Sequence, residues 1–390
     1  MHYVTGGESH GPALTAIVSG VPAGLIISEK QINADLARRQ SGYGRGGRQQ
    51  IERDQVRILS GVRFGRTLGT PVTLQVANRD WENWTDRMAA FGEAPEGLRR
   101  ETTPRPGHAD LLGVIKTDTN DCRDILERAS ARETAARVAA SGIAREFLAA
   151  VGVEVYSYVR RIGSIEMCED GKDFTSLPYN PLDIETSDVR CPDPDATAAM
   201  KRAIDRARQQ RDTLGGEFRV VVTGLVPGLG GYAERSDRLT ARLGAALFSI
   251  PAIKGVEFGI GFDVAKRPGS QVHDEIFCAQ PGGFSRSTNR AGGLEGGMAT
   301  GLPLVITAAM KPIPTLMQPL KTVDIDTLEP TEASKERSDV CAVPAAAVVA
   351  EAEVAFVLAD AYLEKFGRDN MTDIRAALKA YRDRVKTMSR

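Results

Sequence analysis

The sequence predicts a mixed α and β fold organised around an inner helix. Runs of strand-forming residues and stretches with helical periodicity follow one another along the whole chain. The helix predicted over residues 131–150 has alanine at positions 131, 135, 136, 139, 140 and 144, so other backbones can pack closely against it. At 390 residues the chain exceeds the usual size of a single core, and we expect two domains or one large multilayer domain.

The amino-terminal part is predicted to begin with two strands joined by a polar, glycine-rich turn. The turn covers residues 6–12, and an apolar strand follows it at residues 14–18. Ser28 then precedes a stretch with helical spacing of apolar residues, as expected for a short helix with a serine N-cap. Further strands are predicted at residues 56–59 and 72–76, with a glycine-rich turn between them.

The central helix is predicted to begin at about residue 131, because Ser130 and Glu133 have the spacing of a capping box. A strand is expected over residues 153–165. Residues 166–194 are polar and contain four prolines, which predicts a long exposed excursion. Asp195 is then the expected N-cap of a charged helix that ends near residue 214.

The carboxy-terminal part is predicted to add strands, a glycine loop and two long helices. Pro344 is expected to start an apolar helix that ends near Gly367, since proline favours the first turn and glycine the position after the last. An amphipathic helix should follow from Thr372. The remaining predictions are strands at 217–226, 256–260 and 302–308, a helix at 237–249 and a glycine loop at 284–300.

The composition excludes several classes of protein. The formal net charge is −1, which gives no overall attraction to nucleic acid or to an anionic membrane. The five cysteines are widely spaced, with no C-x-x-C pair, which indicates a reduced, cytoplasmic protein without a structural metal. The first residues lack the features of a secretory signal, and Glu351 and Glu353 interrupt the most apolar stretch, so no membrane span is expected.

Residues 105–137 have the features of an anion site. His108 lies beside a Pro-Gly corner, and arginines surround the predicted helix start, where free N–H groups and the helix dipole favour negative charge. These arginines are Arg123, Arg128, Arg132 and Arg137. Alternatively, Glu133 and Arg137 form an ordinary surface pair and His108 is a satisfied loop histidine. This stretch alone leaves both interpretations open.

A second arginine-rich stretch lies at residues 38–66, with eight arginines and no lysine. Guanidinium groups bind carboxylate or phosphate through paired hydrogen bonds, whereas lysine acts as a point charge. The segment GYGRGGR at 42–48 superficially resembles an RNA-binding Arg-Gly box, but it occurs once and such boxes are repeated, so we expect no nucleic-acid binding. No P-loop motif occurs, and no G-x-G-x-x-G follows a first strand.

Motifs of specific sequence recur in one order from the first residues almost to the last. They are GESHGP at 7–12, RRQSGYGRGGR at 38–48, SGVRFGRTLGTPV at 60–72, RPGHAD at 105–110, RASARETAARVAA at 128–140, GSQVHDEI at 269–276, NRAGGLEGG at 289–297, MKPIPT at 310–315 and ERSDVCAVPA at 336–345. Together they make the chain resemble the chorismate synthase family over nearly its whole length.

The resemblance implies a fold and an activity. The fold would be α+β, one large domain over residues 1–390 with a helical layer sandwiched between antiparallel sheets, assembled as a homotetramer. The family converts 5-enolpyruvylshikimate 3-phosphate to chorismate by an anti 1,4-elimination of phosphate, with reduced FMN that is not consumed, and NADPH is a possible source of reducing equivalents. The alternative in another class is a non-catalytic protein that binds flavin or a phosphorylated ligand.

The resemblance also implies roles for individual residues. His10 would act as the acid toward the departing phosphate, which suits an imidazole near neutrality, although a turn histidine is often merely exposed. His108 would lie near flavin N1, and Asp339, whose simplest other role is a helix cap, near flavin N5. The substrate would be held by Ser9, Arg39, Arg45, Arg48, Arg132 and Arg337. The cofactor would be held by Arg128, Ala129, Ser130, Pro251, Ala252, Gly296, Lys311, Pro312, Ile313, Pro314, Thr315 and Arg337.

Overall fold

The computed structural model describes residues 1–46, 52–169, 174–176, 178–278, 283–335 and 338–387. In this part of the chain, two antiparallel β-sheets enclose the long helices. Arg48 and Arg337, two of the predicted site residues, lie outside the described residues.

Among the described residues, the amino-terminal part of the chain has six strands, four of which form the first sheet. They are β1 His2–Gly6, β2 Ala13–Ser19, β3 Val56–Ile58, β4 Val62–Arg63, β5 Arg66–Thr67 and β6 Val72–Ala77. The sheet has the order β1-β2-β6-β3, while β4 and β5 make a short hairpin. In β2, Leu14, Ala16 and Val18 are buried and Ile17 is exposed, because alternate side chains point to opposite faces.

The second sheet has five strands in the order β10-β15-β9-β7-β8. These strands are β7 Glu154–Ile162, β8 Ile165–Glu166, β9 Gly216–Thr223, β10 Ile253–Phe258 and β15 Leu304–Met310. Three two-stranded hairpins accompany it: β11 Ile276–Cys278 with β12 Phe284–Arg286, β13 Leu294–Glu295 with β14 Met298–Ala299, and β16 Lys321–Val323 with β17 Pro330–Glu332. All strand pairings within the five-stranded sheet are antiparallel, in agreement with the predicted α+β class.

Nine α-helices occur among the described residues. They are α1 Glu29–Gln40, α2 Asp110–Thr117, α3 Arg123–Ala129, α4 Thr134–Ala150, α5 Pro181–Thr186, α6 Pro194–Gln209, α7 Leu239–Phe248, α8 Val343–Phe366 and α9 Met371–Thr387. Short 3-10 turns lie at Arg79–Asn83, Ala131–Glu133, Arg235–Asp237, Gly261–Lys266 and Gly269–Gln271. The serine N-cap predicted for α1 is confirmed, since Ser28 accepts a hydrogen bond from the Gln31 N–H.

The alanine-rich helix α4 is an inner element, as predicted. One side of α4 packs on β2 and β6, and another packs along α8. The helix α8 in turn packs on β7 and β9 of the second sheet. One cluster of buried apolar residues runs through both sheets and the helices between them. The chain therefore has a helical layer between two antiparallel sheets.

Two predicted helix starts are wrong by a few residues. The helix α4 begins at Thr134, because the chain first makes a 3-10 turn in which Ser130 Oγ accepts from the Arg132 N–H. The helix α6 begins at Pro194, and its N-cap is Asp193 rather than Asp195. Proline suits the first helical position, so the cap precedes it.

The segment 166–194 is not the fully exposed excursion that its polarity predicts. It contains α5, and its buried residues include Ile184, Val189 and Cys191. Its backbone is tied to the second sheet, since the Val159 N–H donates to the Arg190 carbonyl oxygen. Two of its four prolines, Pro181 and Pro194, begin helices, and the segment covers part of that sheet.

The predictions for the last two helices are confirmed, whereas the stretch 284–300, predicted as a glycine loop, contains the short strands β12, β13 and β14. The helix α8 has Pro344 in its first turn and ends before Gly367, whose φ of 104° a residue with a Cβ rarely adopts. The tail forms α9, and Ile374 and Leu378 on its apolar face are buried.

Candidate active site

A cavity of about 440 Å³ is lined by residues from two parts of the chain, 9–134 and 250–349. That volume lies within the range of small-molecule sites. Most of the predicted site residues line it, although they come from distant parts of the chain. The lining includes Ser9, His10, Arg39, Arg45, His108, Ala129, Ser130, Arg132, Pro251, Ala252, Lys311, Ile313, Pro314, Thr315 and Asp339.

His10 is fixed in the turn between β1 and β2. Its Nδ1 lies 2.8 Å from Oε1 of Glu127, and its backbone N–H donates to Oε2 of the same carboxylate over 2.7 Å. The Ser9 N–H donates to the Glu127 carbonyl oxygen, so the turn is attached to α3 at two consecutive residues. The imidazole also stacks on Trp84, with ring centroids 4.0 Å apart. His10 therefore has one well-defined orientation.

His108 belongs to a second buried polar cluster. Its Nδ1 lies 2.5 Å from Oδ1 of Asp110, and Arg105 Nε donates to Oδ2 of Asp110 over 2.8 Å. Arg105 also donates to the Thr315 hydroxyl, which connects this cluster to the loop after β15. Burial raises the pKa of Asp110, but hydrogen bonds from His108 and Arg105 outweigh it and hold that pKa well below its usual value. Asp110 is therefore ionised at neutral pH.

Arg39 and Arg132 share one buried carboxylate. Asp54 accepts from Arg39 Nη2 over 2.9 Å and from Arg132 Nη1 over 2.6 Å. Asn78 also accepts from Arg132 Nε, over 2.9 Å. Burial lowers the pKa of Arg39 to about 10, although the charge of Asp54 opposes that shift. Arg39 thus remains cationic at neutral pH, and Asp54 holds both guanidinium groups at the cavity wall.

Asp339 is not the cap of α8. Its Oδ2 lies 2.7 Å from Arg45 Nη1, and its Oδ1 accepts from the Gly46 N–H over 2.6 Å. The residue at the N-cap of α8 is Ala342. Asp339 therefore joins the loop after α1 to the segment before α8, at the edge of the cavity.

The opposite wall of the cavity is largely apolar. The first turns of α8 contribute Ala342, Ala345, Ala346 and Val349, and the loop after β15 contributes Ile313 and Pro314. Lys311 donates to the Gly107 carbonyl oxygen, and burial together with the charge of Lys254 lowers its pKa. A flat apolar ring and an anionic tail would both find suitable surroundings here.

Known proteins resemble this chain over its full length. A family model for chorismate synthase matches residues 1–363. This chain belongs to the chorismate synthase family. Chorismate synthases from Desulforudis audaxviator and Geobacter metallireducens are each 54% identical to it, over 391 and 394 residues, covering 99% of this chain and 98% and 100% of theirs. A crystal structure of chorismate synthase matches with a TM-score of 0.81 at 40% identity, covering 99% of this chain and 98% of that one.

Chorismate synthases are carbon–oxygen lyases of the shikimate pathway, and this chain is an enzyme of that class. Its substrate is a small phosphorylated molecule, and the family implies a reduced flavin cofactor. Among the described residues, no group of three or more His, Cys, Asp or Glu side chains could hold a metal ion. In the same part of the chain, no helix is both long and apolar enough to cross a membrane.

Three of the residues expected to hold the cofactor do not line the cavity. Arg128 points back to the first sheet, where it donates to Thr5 and to the Gly7 carbonyl oxygen. Gly296 lies in the turn between β13 and β14, and Pro312 lies between two lining residues. Their role toward a chorismate synthase cofactor stays a prediction.

Sequence reasoning missed four residues that shape the chorismate synthase site. Glu127 and Asp110 contact the two histidines, Asp54 joins two arginines, and Trp84 stacks on His10. Asp110 could have been found, because it lies two residues after His108 in the RPGHAD motif. No local signal marks the others, since each meets its partner across a long stretch of sequence.

Proposed function

We propose that this chain removes phosphate from 5-enolpyruvylshikimate 3-phosphate by an anti 1,4-elimination that yields chorismate, with reduced FMN bound in the cavity and not consumed. One observation carries the proposal. Two histidines with buried carboxylate partners and four arginines, Arg39, Arg45, Arg105 and Arg132, line a single cavity. The substrate has a phosphate and two carboxylates, so it needs this kind of cationic surrounding.

The arginines would bind and orient the substrate. Arg39 and Arg132 are almost fully buried, so their attraction for an anion is weakened by water less than that of a surface arginine. Arg45 would reach the same anion from the other side, and Ser9 would donate a hydrogen bond. Arg48 and Arg337 are proposed to complete the substrate contacts, and Arg337 to contact the cofactor as well.

His10 would supply the proton that the departing phosphate needs. The elimination breaks the allylic C–O bond, whose electron pair leaves with the phosphate, and removes a proton from carbon at the other end of the allylic system. Charge therefore builds up on the phosphate oxygen as the bond breaks. A protonated histidine beside the leaving group can donate the proton that neutralises it.

The residues present fit a flavin. The apolar wall from α8 and Pro314 suits the ring system, and Ala129, Ser130, Pro251, Ala252, Lys311, Ile313 and Thr315 surround it with small or polar groups. When bound, reduced FMN would lend electron density transiently to the allylic system and recover it afterwards. His108 would hold a proton near N1 of the ring and Asp339 would accept one near N5, as side chains already fixed at the cavity wall.

The reaction is tested by an anaerobic assay with reduced FMN and the enolpyruvyl substrate, in which phosphate and chorismate are measured together. We expect both products in equal amounts and no net oxidation of the flavin. The alternative, a protein that binds flavin or phosphorylated ligand without catalysis, predicts flavin binding with no phosphate release. NADPH with oxidised FMN, in place of chemically reduced FMN, tests whether the chain can use that reductant.

The histidine roles are tested by His10→Ala and His108→Ala. General acid–base groups contribute roughly 100- to 10,000-fold, so kcat should fall by at least about 100-fold in each variant. His273→Ala is the control, because His273 is exposed and is not part of the cavity lining. Full activity in His108→Ala would remove that residue from the mechanism.

We further propose that the chain acts as one domain in a cytoplasmic homotetramer. The shared core of both sheets supports the first part. The second is supported by the exposed apolar side chains Val4 and Ile17, which lie opposite each other on the outer face of the first sheet. The chain mass is 42.0 kDa, so light scattering should give about four times that value. All five cysteines are free thiols, which agrees with a reducing compartment.

A further inference from the structure

A buried carboxylate lies behind each of the two cavity histidines. Glu127 is 2% exposed and Asp110 is 1% exposed, and neither belongs to the cavity lining. Each carboxylate contacts Nδ1 of its histidine, over 2.8 Å at His10 and 2.5 Å at His108. The same contact of a buried carboxylate with Nδ1 therefore occurs twice, in different elements and with different acidic residues.

Glu127 is held in its ionised form. Burial raises its pKa, but hydrogen bonds and charge from His10, and a hydrogen bond from Arg123, outweigh it and leave the pKa below its usual value. Because an ionised carboxylate only accepts hydrogen bonds, Nδ1 of His10 must carry the proton between them. The ring nitrogen that remains for the cavity is then Nε2.

The surroundings of His10 keep the ring in this orientation. Trp84 stacks on the imidazole with an interplanar angle of 29°, and its indole N–H donates to Asp80 over 3.2 Å. The guanidinium groups of Arg87 and Arg123 lie over the Trp84 ring. A rotation that brought Nδ1 into the cavity would break both the stacking and the contact with Glu127.

The two carboxylates differ in how their charge is balanced. Asp110 is paired with Arg105, which donates to both of its oxygens and is itself buried. Glu127 is paired with Arg123, whose side chain is 23% exposed and lies 3.2 Å from Oε1 of the carboxylate, so water screens this pair more than the buried pair of Asp110 and Arg105. More of the negative charge of Glu127 is therefore available to a positively charged His10.

We infer that Glu127 is a positioning residue that fixes the Nδ1–H tautomer of His10, presents Nε2 to the substrate phosphate and stabilises the protonated ring. At His108 the guanidinium group of Arg105 also lies 3.1 Å from Nδ1, so the inference is confined to His10. The inference rests on the proposed function, in which His10 protonates the phosphate. In that step the Nε2–H bond breaks, the proton goes to the phosphate oxygen that takes the C–O electron pair, and His10 becomes neutral. Glu127 stays ionised throughout.

The tautomer is tested directly by ¹⁵N NMR of histidine-labelled protein. The chain has four histidines, so His10→Ala and His108→Ala assign the two rings by difference. In the neutral form, the wild type should show His10 protonated at Nδ1 and unprotonated at Nε2. In Glu127→Gln the amide can donate or accept, so we expect both tautomers. The same single tautomer in Glu127→Gln and in the wild type would overturn the inference.

Kinetics provide the second readout. Glu127→Gln should lower kcat by about 10- to 100-fold, the usual cost of losing a group that orients a functional histidine. KM should change by less than about 2-fold, because the substrate arginines are untouched. Glu127→Asp, whose shorter side chain keeps the charge, should recover part of kcat. An unchanged kcat in Glu127→Gln would also overturn the inference.

The pH dependence of kcat tests whether Glu127 stabilises the protonated form of His10. The acid must be protonated to work, so activity falls as the pH rises. The charges around His10 are Glu127 and Arg123 from α3, Arg87 and Asp80 beyond Trp84, and Glu8 in its own turn. Removing only the charge of Glu127 makes His10 lose its proton more easily. The alkaline limb of kcat should therefore move to lower pH in Glu127→Gln, and a limb that does not move contradicts the stabilising role.

The matched control is Glu133→Gln. Glu133 is also nearly buried and paired with an arginine, Arg137, but its carboxylate is engaged there and away from both histidines. It should keep the wild-type kcat and tautomers. Full activity in His10→Ala would defeat the proposed acid while leaving the NMR result on Glu127 intact. An inactive His10→Ala beside an unaffected Glu127→Gln would defeat only the present inference.

Discussion

Asp54 gives the candidate site a counter-ion of its own. Its side chain is fully buried between Arg39 and Arg132. A substrate phosphate or carboxylate that binds these arginines must share them with Asp54. The residue therefore stabilises the free enzyme at the cost of some attraction for the substrate. Burial raises the pKa of Asp54, but the charges of Arg39 and Arg132 outweigh it and lower that pKa, so Asp54 is ionised at neutral pH.

We predict that Asp54→Asn destabilises the free enzyme and increases its response to anions. Removing one partner of a buried ion pair costs roughly 3–5 kcal/mol, since the remaining charges lose their compensation. Inorganic phosphate can replace that compensation, so it should raise the urea midpoint of the variant more than that of the wild type. Asp383→Asn is the control, because Asp383 pairs with Lys379 at the surface, where such pairs contribute about 1 kcal/mol or less. If phosphate raised the urea midpoints of Asp54→Asn and of the wild type by the same amount, the prediction would be refuted.

Most cationic side chains of the site, together with Asp339, could be predicted from the sequence, but the carboxylates that contact those cationic side chains could not. His10, Arg39 and Arg132 could be recognised because they lie in glycine-rich or helix-start motifs. Glu127 lies 117 residues from His10, and Asp54 lies 78 residues from Arg132. No periodicity connects such pairs, since they meet only when the two sheets and the helices are assembled. Arg128 shows the converse, because a motif residue beside the site turns its side chain elsewhere.

Among the elements, the contact between α1 and α4 depends on the absence of a side chain. A Cβ added at Gly142 would lie 2.7 Å from Cγ1 of Ile32, which is too close for the stiff, branched side chain to accommodate. The helix α1 carries Arg39 at its end, so its position on α4 also sets one wall of the cavity. The small residues predicted to make α4 thin thus have a structural consequence for the site.

We predict that Gly142→Val lowers the free energy of unfolding by about 3 kcal/mol, near the upper end for overpacking a core. The same change at Gly244 in α7 is the control, because an added Cβ there has no other described atom within 4 Å. Valine and glycine differ by only a few tenths of a kcal/mol in helix propensity, so Gly244→Val should be nearly neutral. Urea denaturation of both variants measures the difference, and equal losses would show that packing on Ile32 does not matter.

Elements were more predictable than their ends. Alternating and helical patterns located the principal strands and helices, because burial of one face imposes a period on the sequence. The predicted helix starts were wrong where more than one residue could act as the N-cap, as with Asp193 and Asp195, and where a 3-10 turn precedes the helix, as after Ser130. The prediction that residues 166–194 are exposed was wrong for a different reason. The polar residues of this segment include Arg190, which is buried because it pairs with Glu351 in another element.

For the whole molecule, the order of strands could not be read from local patterns. The strand β15 lies between β9 and β10 although it comes last of the three, so its neighbours are separated from it by long stretches of chain. The family resemblance supplied the sandwich arrangement that the patterns alone left open between two domains and one. The structure adds the polar contacts that join α8 to α1, to α4 and to the second sheet.

Glu351 is the centre of those contacts. It is completely buried on α8, and its carboxylate accepts from Arg38 on α1, Arg145 on α4, Arg190 and the Ser157 hydroxyl on β7. Burial raises its pKa, but the charges of the three arginines outweigh that effect and lower the pKa to about 2. One ionised side chain therefore ties the helical layer to both the first helix and the second sheet.

Glu351 should make the stability of the whole chain depend on pH on the acid side. Its pKa is about 2 in the folded protein and about 4.3 in an unfolded chain, so its contribution is fully present above about pH 5 and is lost as the pH falls toward 2. The size of that contribution is on the order of 3 kcal/mol, from about 1.4 kcal/mol for each pKa unit. Acid should protonate Glu351 and leave the three arginines without their shared counter-ion.

We therefore predict that Glu351→Gln is less stable than the wild type by roughly 3–5 kcal/mol at pH 7, and that the difference shrinks as the pH is lowered from 5 to 3. Glutamine resembles the protonated glutamate, so the variant has already lost what acid removes. Urea midpoints at pH 7, 5, 4 and 3 measure this convergence. Glu364→Gln is the control, since Glu364 is 45% exposed and pairs with Arg242 at the surface, where the loss should be about 1 kcal/mol or less. A difference between Glu351→Gln and the wild type that stays constant over the whole pH series would mean that the pKa of Glu351 is the same in the folded and the unfolded chain, and that its charge is not stabilised by the three arginines.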